Sequence, residues 1–288
     1  AMQTAVLAQS ASQRAFNAIQ SSDCEILDVR KRSRIAWKML KAKAPCGSGV
    51  GEMAIVYGDG DVDRKRIVKV VEHLLKKKLR KQEDIIVLDD FNFFLQRYPY
   101  LCRKVDEGEK KAPLLAPRSK ETLYGAHPNE ILEGQLHLSD CHTAVNKQAI
   151  ITDLDIGAVV NCTHWTPSAF EKLGVLYKRI IVVDDQRDRQ ALSEELPAVV
   201  GFIHENLKAN KRVLVHCEAG VSRSATVVIA YVMTTTRASM KESLAYVKEC
   251  RPDIEPNPGF IQILNDFENG MKQSATDPGI NIDNGRAK

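Results

Sequence analysis

The stretch "RVLVHCEAGVSRSATVVIAYVMTT" (212–235) leaves a chain few ways to fold. "RVLV" is a short, continuous apolar run of the kind found in strands buried on both faces of a parallel sheet. Small residues follow, with Ala219 and Gly220 permitting a tight concave turn, and a helix begins just after Arg223. Strand, short loop and helix make the repeating unit of an α/β fold. Where such a helix starts, backbone N–H groups converge on one point and form an anion site. Glu218, Ala219, Gly220, Val221 and Ser222 are the expected lining of that site, and Arg223 adds a guanidinium fork.

Cys217 sits at the mouth of this loop. Helix N-termini and neighbouring cations favour the thiolate of a cysteine placed beside them. Cys217 is therefore the expected nucleophile toward the phosphorus of a bound phosphoryl group, and the chemistry is phosphoryl transfer through a cysteinyl-phosphate. His216 is expected to order the loop through hydrogen bonds, and Ser224 to donate to the sulfur and ease its departure. The spacing alone is a weak signal: Cys24 and Arg30 repeat it, but "EILDV" between them is an extended strand whose amides belong to a sheet. No metal is required, because Arg223 and the amides neutralise the phosphoryl charge. A zinc set built from Cys141–His142 and Cys162/His164 would crowd adjacent ligands awkwardly into one tetrahedron.

Phosphoester cleavage expels an alkoxide or phenolate that needs a proton. "VVDDQRDRQALSEE" (182–195) is a strand end followed by an acidic stretch suited to supply it. Upstream, "GAVVNCT" (157–163) and "YKRIIVVDD" (177–185) read as strands, and a helix is expected to enter at Ser193. "SATVVIAYVMTT" and "SMKESLAYVKEC" read as two more helices, and residues 273–288 as a disordered tail.

The N-terminal part is a second α/β unit, expected over residues 1–103. "CEILDVR", "MAIVYGDG" and "DIIVLDD" are its strands, and "RKRIVKVVEHLLKKKLRKQ" is a helix with one apolar and one basic face. Residues 104–130, rich in charge and Pro, are expected to be a linker. Residues 1–100 carry 18 Lys+Arg against 12 Asp+Glu, although the whole chain nets only +4. That asymmetry suggests two parts with different partners, and the net charge is too mild to argue for nucleic acid on its own. Arg30, Lys31, Arg32 and Arg34 form the first basic cluster, and "KKKLRK" (76–81) the second, which also reads as a weak nuclear-localisation signal. Seven cysteines at scattered spacings, with no C-x2-C pair, argue against a disulfide framework and for a reducing compartment. No apolar run is long enough for a membrane helix, and no secretory signal pattern is present. A monomer in the cytoplasm or nucleus, without membrane or nucleic-acid partners, is expected.

"HCEAGVSRSATVVIAYVM" resembles the signature of the dual-specificity protein phosphatases, nearest to the MAP-kinase phosphatases. "NEILEGQLHLSDCHTAVNK", "IGAVVNCT" and "RPDIEPNPGFIQILNDFE" extend the likeness across residues 131–272, with His137 and Ser139 as departures expected to touch packing alone. The resemblance places the general acid some 31 or 32 residues before the cysteine, which favours Asp185 over Asp184; Asp188 reads as a solvated loop charge. It implies hydrolysis of phosphotyrosine and phosphoserine/threonine without a cofactor. The first part resembles a rhodanese-like domain through "ILDVR", "AIVYG" and "IIVLDDFNFFLQRYP", with Gly58 where an active sulfurtransferase carries its cysteine. The fold class implied is two α/β domains, a rhodanese-like domain and then a phosphatase domain with a central sheet flanked by helices. The first would dock a phosphoprotein substrate such as a MAP kinase. The alternative from another class is a scaffold that binds phosphoproteins without turnover.

Overall fold

The computed structural model describes residues 9–21, 24–28, 53–58, 60–76, 81–82, 85–88, 91–103, 114–115, 127–185 and 189–276. Arg30, Lys31, Arg32, Arg34, Asp188 and most of the "KKKLRK" cluster lie outside them. The chain forms two compact units, one of residues 9–133 with 146–154, the other of residues 134–145 with 155 onward.

In the first unit α1 (Ala11–Ser21) precedes β1 (Cys24–Asp28), β2 (Met53–Tyr57), α2 (Gly60–Lys76), β3 (Ile85–Leu88) and α3 (Phe91–Arg97). The strands pair in parallel in the order β1-β2-β3. Alternation along the strands sorts their side chains onto two faces. Ile55, Tyr57, Ile86 and Leu88 pack with Phe16 and Ile19 of α1 and with Phe94, Tyr98 and Leu101. Ala54, Val56 and Ile85 pack instead against Ile67, Val70 and Leu74 of α2. The opposite face of α2 exposes Arg64, Lys65 and Lys69, so its 3.6-residue period divides core from charge as the sequence implied. Gly58 is buried directly after β2.

Part of the expected linker is regular structure. Leu114–Leu115 (β5) pair antiparallel with Cys102–Arg103 (β4), giving this short apolar pair a backbone partner. β6 (Asn129–Leu132) begins inside the expected linker, and its Glu130, almost wholly buried, accepts from the Tyr98 hydroxyl at 2.6 Å and from Arg97 at 3.1 Å.

The second unit holds β7 (Leu136–Ser139), α4 (Cys141–Ala144), β8 (Ile156–Asn161), β9 (Leu176–Arg179), α5 (Arg189–Lys208), β10 (Arg212–His216), α6 (Arg223–Thr236), α7 (Met240–Cys250) and α8 (Pro258–Thr276). Its parallel strands run in the order β7-β10-β8-β9. β10 lies between two neighbours, and Val213, Leu214 and Val215 are fully buried, which explains their unbroken apolar run. α6 is buried nearly all round, as a helix apolar on every side must be. Ser239 and Glu242 form a reciprocal capping box that starts α7.

Three expectations differ from the structure. β9 ends at Arg179 rather than Asp185. Residues 180–183 keep the strand alternation, Ile180 and Val182 buried and Ile181 and Val183 exposed, but after the Ile180 N–H reaches the Asn161 carbonyl at 3.0 Å the chain leaves the sheet. Helix α5 starts at Arg189, so Ser193 lies inside it and is not its cap. Helix α8 runs to Thr276 and takes in the first residues of the expected tail.

Candidate active site

In an open parallel sheet, ligands bind beyond the carboxyl ends of the strands. Ser139–Asp140, Asn161–Cys162 and His216–Cys217 stand at those ends for β7, β8 and β10. Cys217 is 1% exposed. Its Sγ accepts the Gly220 N–H at 3.2 Å and the Ser224 hydroxyl at 3.1 Å. The loop from Glu218 to Ser222 thus curls around the sulfur and ends at the first turn of α6.

The loop's shape follows from where its carbonyls go, since buried backbone groups must find partners. The Glu218 carbonyl accepts from Cys141 N–H at 3.0 Å. Arg251 donates to the carbonyls of Gly220 at 3.0 Å and Ala219 at 3.3 Å. Glu255 N–H donates to the Val221 carbonyl at 3.0 Å, and Thr226 N–H to that of Ser222 at 2.9 Å. Five successive carbonyls are held by groups outside the loop, while the Gly220 amide turns toward Cys217. Gly220 needs to be glycine: its φ is +69°, and a Cβ there would lie 2.6 Å from the Ser139 carbonyl carbon and oxygen. Ser139, expected to touch packing alone, is therefore the floor beneath the loop.

Arg223 is 7% exposed. Its guanidinium donates to the carbonyls of Val182 at 3.3 Å and Cys162 at 3.5 Å, and to Glu218 Oε2 at 3.3 Å. Its Nε is buried, makes no hydrogen bond, and lies 3.7 Å from Asp184 Oδ2. One edge of the guanidinium is thus anchored to the ends of β8 and the 180–185 segment. The His216 ring bonds the Cys217 carbonyl through Nδ1 at 3.3 Å; burial drives its pKa down to about 4 against the pull of that bond, so the ring is neutral near pH 7. Burial likewise pushes the Cys162 thiol well above its ordinary value.

The structure brings Cys217, Glu218, Gly220, Ser222, Arg223 and Ser224 together around the sulfur and the start of α6. Asp184 Oδ1 accepts from the Ser222 hydroxyl and from the Asn257 side-chain amide, each at 2.7 Å. Asp185, the position expected to carry the acid, is half-buried beside it. Asn257 and Arg251 were missed from the sequence. An N-cap signal was available for the first: Asn257 precedes Pro258, and its Oδ1 accepts the Phe260 N–H at 3.0 Å to start α8. Among the described residues no group of three or more His, Cys, Asp or Glu could hold a metal ion, and no helix is long and apolar enough to cross a membrane.

Fold and site thus place Cys217 and the loop of residues 218–222 at the carboxyl end of a parallel α/β sheet, where the loop runs into a helix. A model of the dual-specificity phosphatase catalytic domain matches residues 136–270. Over 133 residues the chain is 34% identical to a protein of invertebrate iridescent virus 6 named tyrosine phosphatase 123R, a match covering 43% of this chain and 94% of the viral protein. It is 31% identical over 199 residues to a rhodanese domain-containing dual-specificity protein phosphatase of Dictyostelium discoideum, covering 69% of this chain and 40% of that one. The crystal structure of DUSP15 is 31% identical, with a TM-score of 0.47, covering 52% of this chain and 92% of that one. The chain belongs to the dual-specificity phosphatase family. It spans less than half the length of several curated relatives that it matches.

Proposed function

We propose that this protein hydrolyses phosphotyrosine and phosphoserine/threonine esters in proteins through a cysteinyl-phosphate on Cys217. The observation that carries the reading is the sulfur's setting, with Gly220 N–H and the Ser224 hydroxyl 3.2 and 3.1 Å from Sγ and Arg223 opening the helix behind it. The Arg223 Nε, buried and without a hydrogen-bond partner, has a donor to offer an incoming phosphoryl oxygen. The Cys217 sulfur attacks phosphorus, the P–O bond breaks, and Asp185 protonates the departing oxygen. Asp185 then takes a proton from the attacking water, the S–P bond breaks, and inorganic phosphate leaves. The placing of the acid 31 or 32 residues before the cysteine, which the family resemblance implies, is what supports Asp185 over Asp184 in this role.

The phosphate loop carries no lysine at its variable positions, Glu218, Ala219, Val221 and Ser222, which favours a protein phosphoester over a lipid carrying further phosphates. The net charge of +6 over residues 1–100 supports docking of an acidic surface on a phosphoprotein, in our reading a MAP-kinase-like substrate, through Arg30, Lys31, Arg32 and Arg34. Rapid acid quench of a turnover mixture followed by mass spectrometry tests the intermediate. One phosphoryl group on the peptide containing Cys217 is expected, and its absence during turnover would contradict the mechanism.

A further inference from the structure

Residues 251–257 run past the phosphate loop and bond it through Arg251, Glu255 and Asn257, and Asn257 makes three different contacts. Its Oδ1 caps α8 through Phe260 N–H at 3.0 Å. Its backbone N–H donates to the Ser222 hydroxyl oxygen at 3.2 Å. Its side-chain amide donates to Asp184 Oδ1 at 2.7 Å, the same oxygen that receives the Ser222 hydroxyl. Asp184 Oδ2 in turn faces Arg223 Nε at 3.7 Å. A closed ring therefore joins the last residue of the loop, the start of α8 and the segment that leads into Asp185.

We propose that Asn257 is a positioning residue that couples the acid-bearing segment to the phosphate loop. The inference rests on the phosphatase reading for its kinetic consequence, but the coupling itself is a property of the fold. Beyond Arg179 the segment is held by the Ile180 N–H bond to the Asn161 carbonyl and the Arg223 bond to the Val182 carbonyl, and Asp184 lies past both. Asp184 itself is held at Oδ1 by Ser222 and Asn257 and faces Arg223 through Oδ2, and Asp185 is the next residue. A general acid works when its proton is within hydrogen-bond reach of the leaving oxygen, so a segment released by even about 1 Å loses much of that benefit. The loop, by contrast, keeps its own carbonyl partners at Cys141, Arg251, Glu255 and Thr226. Loss of the Asn257 side-chain amide therefore weakens protonation of the leaving group while leaving the phosphate pocket formed.

Asn257→Ser separates the two roles of this side chain, because serine caps a helix about as well as asparagine but has no amide to reach Asp184. Turnover of a phosphotyrosine peptide, whose leaving oxygen needs a proton, is expected to fall about tenfold. A fluorinated aryl phosphate, whose leaving group departs without one, is expected to keep its rate within about twofold. Equal losses on both substrates, or no loss on either, would overturn the proposal. Amide hydrogen exchange over residues 180–185, measured with tungstate in the pocket, reads the coupling without turnover. Exchange several-fold faster in Asn257→Ser is expected, and unchanged exchange would overturn the coupling. A wild-type protein that shows no turnover but does show this difference would contradict the phosphatase reading and leave the coupling standing.

Discussion

The Ser224 hydroxyl donates to Cys217 Sγ across 3.1 Å, from the second residue of α6. Both residues are essentially without solvent access, so this bond and that from Gly220 supply what water would otherwise supply to the sulfur. A hydrogen bond to a charged group contributes about 1.5–3 kcal/mol, and under the proposed mechanism it would matter most when the sulfur leaves phosphorus. Ser224→Ala should therefore slow breakdown of the cysteinyl-phosphate about 10- to 100-fold. Pre-steady-state kinetics should show a burst of dephosphorylated product followed by a slow phase. A uniform slowing with no burst would place the effect on the first step instead.

Gly220 has φ +69° and lies against the backbone of Ser139 and Asp140. Gly220→Ala adds a methyl group where there is no room, and neither contact is with a side chain that can swing away. The loop must open, with loss of tungstate binding and of turnover. Calorimetry with and without tungstate checks this: the wild type should show a ligand-induced rise in Tm, and the variant should lose it.

Glu218 Oε2 lies 3.3 Å from the Arg223 guanidinium, and its side chain is 60% exposed. An ion pair this open is weak, but it occupies a donor that a phosphoryl group would use. Glu218→Gln should tighten inhibition by inorganic phosphate two- to fivefold, roughly what an exposed pair contributes. Weaker inhibition would show that Glu218 orients Arg223 rather than competing for it.

Much of this site was legible in the sequence because it is local. Strand, glycine-bearing loop and helix are contiguous from Arg212 to Thr236, and Cys217, Gly220, Arg223 and Ser224 occupy a single turn of the chain and its exit. Contacts made across the chain were not legible. Nothing in "RPDIEPNPGF" announces that Arg251 holds the loop's carbonyls or that Asn257 reaches Asp184, because those partners lie more than thirty residues away. The alternation in "YKRIIVVDD" was real, and Ile180 and Val182 are buried as it implied. Strand length depends on a neighbour to bond to, and among the described residues β9 pairs with β8 alone, so the pattern outran the ladder.

Burial takes the His216 imidazole from an ordinary 6.5 down to about 4. Between those values the unfolded chain binds a proton on this ring that the folded chain does not, so stability falls as pH drops through the window. The full shift corresponds to about 3 kcal/mol. Urea unfolding at pH 7 and pH 5 should show wild type losing more stability on acidification than His216→Gln. An identical pH dependence in the two proteins would contradict a neutral, buried His216.

The most direct measurement follows both phosphates on a peptide carrying phosphothreonine and phosphotyrosine two residues apart, with wild type and Cys217→Ser side by side. Our account predicts that wild type removes both phosphates and that Cys217→Ser removes neither while still binding the peptide. A wild-type protein that binds the peptide and releases no phosphate would contradict it and mark the pocket as a phosphoprotein-binding site.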